Sequence, residues 1–158
     1  MCYNYVRGDK MKKIFKLLCF TFVLLTLTAC GSKTELTEKQ MDKILTEKGF
    51  LINDFSGQIE DKNVKTVKIA TNKDYQIEYY IFKEEKLAKE AFTNNIKTFE
   101  DLNKTEGKTK NSDNYDKYTQ KLSDTYNSLT RVGKMLVYAS INIDYKSDFE
   151  KVIRALNY

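Results

Sequence analysis

The chain has 158 residues, 41% hydrophobic and 31% charged, a composition of one folded domain rather than two domains or a disordered chain. It carries 27 basic and 22 acidic residues, a formal charge of +5, with three Cys and no His, Trp or Pro. The lack of His removes the commonest general base and metal ligand, and the lack of Pro removes polyproline spacers and PxxP segments.

Lys12, Lys13 and Lys16 form a short basic region, followed by an apolar run from Leu17 to Ala29. That run has the length of a signal-peptide core and falls short of the ~20 residues that span a membrane. It ends in Leu27-Thr28-Ala29-Cys30-Gly31-Ser32, which resembles the lipobox of bacterial lipoproteins. The resemblance implies a diacylglyceryl thioether on Cys30 and cleavage before it, with Leu27, Thr28, Ala29 and Gly31 as the processing motif. A thiol is the side-chain nucleophile suited to building a thioether, and small residues fit a narrow protease cleft. Two acyl chains, at about 0.8 kcal/mol per buried CH₂, anchor stably where one is marginal. Met1 to Lys10 does not fit a signal peptide, so Met11 is the expected start. Arg7-Gly8-Asp9-Lys10 admits a purine-rich coding that resembles a ribosome-binding site. The expected organisation is therefore residues 1–29 as signal peptide, 30–36 as lipidated tether and 37–158 as one domain.

Five basic and one acidic residue leave with residues 1–29, so the charge of +5 becomes +1. Cys2 and Cys19 leave too, and Cys30 is the one cysteine that stays. No disulfide, thiol ligand or thiol nucleophile is then expected, nor a metal or other cofactor beyond the diacylglycerol.

In the domain, Thr37 and Gln40 fit a capping box, Leu36 and Met41 a hydrophobic staple, and Gly49 a C′ position, which predicts a helix over 37–48. Strands are predicted over 50–55, 64–71 and 75–82. In the last of these, Tyr75, Ile77, Tyr79 and Ile81 alternate with Gln76, Glu78, Tyr80 and Phe82. Leu87, Ala88, Ala91, Phe92, Ile96, Phe99 and Leu102 then keep helical spacing for about five turns. Residues 103–114 lack apolar groups and read as an exposed loop. Three strands follow over 115–122, 125–132 and 134–141, with Gly133-Lys134 as a tight turn. Met135, Val137, Ala139 and Ile141 face one way and Leu136 and Tyr138 the other, the mark of a central strand. Ser147 and Glu150 fit a second capping box before the stripe Phe149, Val152, Ile153 and Leu156. The pattern αβββα-βββα predicts an α+β fold: one antiparallel sheet of five to six strands, with three helices on one face. The strand–helix pairs 75–102 and 134–157 repeat this pattern without repeating residues.

The lipobox, the Leu36–Gly49 helix, the segment Tyr75-Gln76-Ile77-Glu78-Tyr79-Tyr80-Ile81-Phe82, the hairpin Arg131-Val132-Gly133-Lys134-Met135-Leu136-Val137-Tyr138 and the ending Ile153-Arg154-Ala155-Leu156-Asn157-Tyr158 carry a wider likeness. Together they resemble small uncharacterised lipobox-containing lipoproteins of low-GC Gram-positive bacteria. The resemblance implies the outer face of the cell membrane as location. It carries over one functional residue, Cys30.

Candidate chemistry rests on carboxylates, Ser and Tyr. Glu84-Glu85 and Asp144 with Asp148 stand at helix starts, where negative charge also simply complements the helix dipole. Ser128 and Ser140 lie in neither G-x-S-x-G nor S-x-x-K settings. Tyr80 and Tyr118 are the candidate binding surface, an exposed aromatic strip for a glycan or peptide, although Tyr is also a strong strand former. A charge of +1 without a basic stripe in the sequence argues against nucleic acid. These features favour a non-enzymatic binding module at the cell surface, anchored in the membrane and meeting a cell-envelope protein or polymer. The alternatives are an immunity or inhibitor-type protective lipoprotein and a small cell-envelope hydrolase.

Overall fold

The computed structural model describes residues 32–158. Cys30 and its flanking motif Leu27, Thr28, Ala29 and Gly31, the signal peptide and the Met11 start all lie outside these residues. The domain is α+β, built on one antiparallel sheet. Helix α1 spans Glu38–Glu47, α2 Glu85–Asn103 and α3 Lys146–Ala155. The strands are β1 Leu51–Asp54, β2 Val64–Thr71, β3 Gln76–Phe82, β4 Lys108–Asn111, β5 Tyr115–Lys121, β6 Thr125–Val132 and β7 Met135–Asn142. Their order across the sheet is β1-β2-β3-β7-β6-β5-β4. Two meanders therefore meet at the pair β3·β7, which runs from Glu78↔Tyr138 to Ile81↔Met135. No helix among the described residues is long and apolar enough to cross a membrane.

Local signals act as their chemistry requires. Thr37 Oγ1 accepts from the Gln40 backbone N–H, and the Gln40 side chain accepts from Thr37 N–H, which closes the first capping box. Gly49 at φ +86° takes the left-handed position after α1. The second capping box does not form. A short 3₁₀ turn, Ile143–Tyr145, precedes α3, and its cap is Asn142, whose side chain accepts from Asp144 N–H.

The sheet differs from the expected one in two ways. It has seven strands rather than five or six. The extra strand, β4, lies inside the predicted loop 103–114 and has all four residues exposed. A fully exposed edge strand has no buried face to impose period-two hydrophobicity. Second, the helices do not share one face. Helices α1 and α3 cover the larger core, through Met41, Leu45, Phe149, Val152, Ile153 and Leu156 packed with Ile77, Tyr79, Val137 and Ile141. Helix α2 covers the opposite face, through Ala88 and Phe92 packed with Phe82, Tyr118, Leu129 and Leu136. The second set of strand side chains is itself apolar, so leaving it in water would cost about 25 cal/mol per Å² of apolar surface. The repeat noticed in sequence, strand then helix at β3-α2 and β7-α3, thus places its two helices on opposite faces.

Helix α1 is held by charge as well as by packing. Lys68 of β2 is 8% exposed, and its ammonium lies 2.6 Å from Glu38 and 2.7 Å from Asp42. Asp42 also accepts from the Tyr79 hydroxyl. Burial alone would lower the Lys68 pKa, but the hydrogen bonds its ammonium donates to Asp42 and Glu38, with their negative charge, outweigh it and hold the pKa above its ordinary value. Replacing Lys68 by Met leaves two neighbouring carboxylates without their cation. Lys68→Met is expected to lower unfolding free energy by about 2 kcal/mol, below the range for fully buried pairs because both carboxylates are partly solvated. Lys43→Met removes only an exposed pair with Glu47 at 3.9 Å and is expected to cost under about 0.5 kcal/mol. Denaturant unfolding of the two variants checks this, and equal midpoints would contradict the assigned role of Lys68.

Candidate functional site

Two rows of side chains cross the sheet on the α2 side. Strand registers set one row as Tyr118, Leu129, Tyr138 and Glu78, and the next as Asp116, Arg131, Leu136, Tyr80 and Val67. Directly opposed residues share a face, so each row is continuous. Helix α2 covers these rows incompletely. It leaves a cleft of about 380 Å³ whose base is Phe82, Leu129 and Leu136. Ala91, Asn95 and Phe99 of α2 form one wall, Tyr80 and Tyr138 another, and Val64 and Asp61 close the β2 side. This is the size of a small-molecule or side-chain pocket, apolar with a few placed polar groups.

Glu78 is the polar centre. Its Oε2 accepts from the Tyr80 hydroxyl at 2.5 Å, and its Oε1 accepts from the Gln76 amide at 3.1 Å. Burial foremost, and then the Glu78 carboxylate, push the Tyr80 pKa well above its ordinary value of 10.0. The Tyr80 phenol therefore stays protonated and donates to Glu78. The Tyr138 pKa is also raised, chiefly by burial, with Glu78 adding to it. The Phe99 ring stacks 5.7 Å from Tyr138 and 6.2 Å from Tyr118, so one helix residue locks two strand tyrosines. Asp61 at the rim is the other charged lining residue, and among the described residues no Lys or Arg lines the cleft.

The expected aromatic strip is corrected here. Tyr80 does line the cleft, half-buried. Tyr118 is fully buried beneath Phe99 and closely approached by Gly107, where a Cβ would overlap its ring. It presents no surface to a glycan or peptide. Glu78, Asn95, Phe99 and Tyr138 complete the cleft and were not singled out in the sequence. The available signal was a lone carboxylate, Glu78, on a strand face otherwise bearing Gln76, Tyr80 and Phe82.

The other candidates are dispersed. Glu84 precedes α2 without a side-chain cap bond, while Glu85 takes a 2.8 Å bond from Arg131 Nη1. Arg131 is itself buried, and its Nε donates to Asp116 at 2.5 Å. Asp148 accepts from the Tyr75 hydroxyl at 3.1 Å, and Asp144 is exposed. Ser128 is buried in β6 and Ser140 exposed on β7. Among the described residues no group of three or more Cys, Asp or Glu is placed to hold a metal ion.

Comparison with protein families and with curated proteins finds no match. Among solved structures the domain is similar to a GTP-binding regulator from Thermotoga maritima, with 14% identity and a TM-score of 0.44. The likeness covers 77% of this chain and 84% of that one.

The tyrosines make a pH prediction. Burial raises the pKa of Tyr75, Tyr79, Tyr80, Tyr115 and Tyr138, and pushes Tyr118, Tyr126 and Tyr158 up, the last three to about 12. A phenol whose folded pKa exceeds its unfolded value holds its proton longer when folded. Stability is then complete below pH ~10 and declines as pH rises above it, by about 1.4 kcal/mol per pH unit for each fully buried phenol. Tyrosinate absorbance and loss of circular dichroism are expected to rise together in one cooperative alkaline transition. Ionisation of most tyrosines near pH 10 in a still-folded protein would contradict the burial pattern.

Proposed function

We propose that this chain is a lipid-anchored extracytoplasmic protein that acts as a non-enzymatic binding module at the outer face of the cell membrane, and that the cleft under α2 is its binding site. The lipobox around Cys30 supports the anchor. The observation that carries the binding reading is the cleft's make-up: an apolar, aromatic-walled space whose one inner carboxylate, Glu78, is fixed by Tyr80 and Gln76. Tyr80 stays protonated, so it is an orienting donor rather than a nucleophile. The cleft suits a small ligand, or a side chain of an envelope protein, with an apolar body and a positively charged or hydrogen-donating end. Tyr and Phe faces add cation–π attraction to such a group.

Two measurements test this reading. In intact cells, Cys30→Ala is expected to release the protein from the membrane or block its processing; unchanged attachment would remove the anchor from the reading. For the cleft, titration with a medium-chain alkylammonium and with its neutral alcohol counterpart is read by NMR at Ala91, Tyr80 and Tyr138. The ammonium is expected to bind roughly tenfold tighter, about 1.4 kcal/mol. Glu78→Gln should abolish that preference while leaving the melting temperature within a few degrees. Shifts spread over the surface, with no preference between the two probes, would count against the cleft as the site.

A further inference from the structure

The far edge of the sheet carries an unbalanced positive surface on the side opposite the cleft. Lys110 and Lys117 stand directly opposite each other across β4·β5, and Lys108 stands opposite Thr119. Strand alternation puts Lys117, Thr119 and Lys121 on the same face as Tyr115, which belongs to the core under α1 and α3. Four lysines of the two edge strands therefore share the α3 side. Helix α3 adds Lys146 and Arg154, which lie with Glu150 at four-residue intervals along one helix face. Lys33 joins them: its ammonium sits 5.7 Å from the centre of the Tyr115 ring.

The carboxylates facing this surface are few. Glu150 lies 3.4 Å from Lys146 Nζ and within reach of the Tyr126 hydroxyl at 3.5 Å, and Glu106 borders the hollow between Lys108, Lys121 and Lys146. Among the described residues, these seven cations thus meet Glu150 and Glu106, in a domain whose formal charge from Ser32 onward is only +1. Like charges directly opposed on a sheet are destabilising. Lys117 shows the strain: burial lowers its pKa, Glu150 opposes this, and Lys33, Arg154 and Lys110 lower it further. An external anion would relieve this repulsion.

The tether decides which anion. Lys33 is clamped to the domain at both backbone groups: its N–H donates to Asn114 Oδ1 at 3.0 Å, and its C=O accepts from Asn114 Nδ2 at 2.6 Å. The chain therefore joins the domain beside the basic surface. Cys30 is three residues earlier, a span of at most about 10 Å. The aromatic rings here, Tyr115 and Tyr126, are buried, so none is free to stack on nucleic-acid bases.

We propose that the Lys33, Lys108, Lys110, Lys117, Lys121 and Arg154 surface docks on anionic lipid headgroups of the membrane that holds the Cys30 anchor. This rests on the lipid-anchor reading and is independent of the cleft. It lays the α3 side of the β4–β5 edge against the bilayer and turns the opposite side, with α2 and the cleft, outward. Basic residues near an anionic surface gain from it within a Debye length, so the docking is salt-sensitive.

The test uses the full chain purified from membranes and mixed with vesicles of phosphatidylcholine alone or phosphatidylcholine with phosphatidylglycerol. Sedimentation is read together with lysine acylation by a water-soluble reagent. Co-sedimentation with both vesicles is expected, with acylation of Lys108, Lys110, Lys117 and Lys121 several-fold slower on the anionic ones and restored by high salt. Lys43 and Lys86, both highly exposed on other elements, should react equally on both. In the variant Lys108→Gln/Lys110→Gln/Lys121→Gln, which changes exposed side chains only, the salt-reversible protection of Lys117 should disappear. Co-sedimentation with both vesicles but equal labelling overturns the docking surface and leaves the anchor standing. Binding to anionic vesicles alone supports the surface and sinks the anchor, and binding to neither overturns both. Protection by soluble polyphosphate but not by anionic vesicles would reassign the surface to a soluble polyanion and overturn the proposal.

Discussion

β3 and β7 pair at the middle of the sheet, and each carries apolar side chains on both faces. Ile77, Tyr79, Met135 and Val137 point toward α1 and α3, while Phe82 and Leu136 point toward α2. A sheet whose central pair is apolar on both sides has to be covered on both sides, and the rest of the domain follows from that need. Two helices close the wider face and one long helix the other. A single helix of 19 residues cannot cover a seven-stranded sheet, so part of the second face stays open. The cleft with Glu78 and Tyr80 is this uncovered part.

Much of the architecture was legible in local chemistry. Thr37 and Gln40 announced α1, and the strands expected over 64–71 and 125–132 are β2 and β6 with the bounds observed. Leu136 and Tyr138, opposite Met135 and Val137, marked β7 as central. That same observation required a cover on the second face, yet helical periodicity states only that a helix is amphipathic and not which side of a sheet it meets. β4 was illegible because Lys108, Thr109, Lys110 and Asn111 bury nothing; its existence is owed to hydrogen bonds with β5. Ser147 and Glu150 had the spacing of a capping box, but α3 starts earlier, at Lys146, once the turn led by Asn142 is in place.

The candidate site was legible only in part because tyrosine does two jobs. Tyr80 and Tyr118 lie on the same sheet face in adjacent rows, and sequence gives them the same standing. Phe99 separates them by stacking over Tyr118, while the gap beside Ala91 and Asn95 leaves Tyr80 reachable. Charge shows a similar split. A total near neutrality conceals an edge rich in lysine, because Glu38, Asp42 and Asp54 gather around Lys68 at the other end of the sheet. The pairing of strands, rather than composition, decides where like charges accumulate.

The position of β7 also bears on how the chain folds. It is last of the strands in sequence, yet it sits between β3 and β6. Tyr158, further still along the chain, hydrogen-bonds through its hydroxyl with the Leu36 N–H at 3.2 Å, across 122 residues. A chain emerging N-terminus first from a ribosome can form the β1–β3 meander early. The side of β3 away from β2 has no neighbour until residues 135–142 have emerged. Such long-range closure slows folding, because the loop entropy must be met before the central contacts form. The sheet is therefore completed late, and the first three strands must wait with one side of β3 unpaired until almost the whole chain has been made.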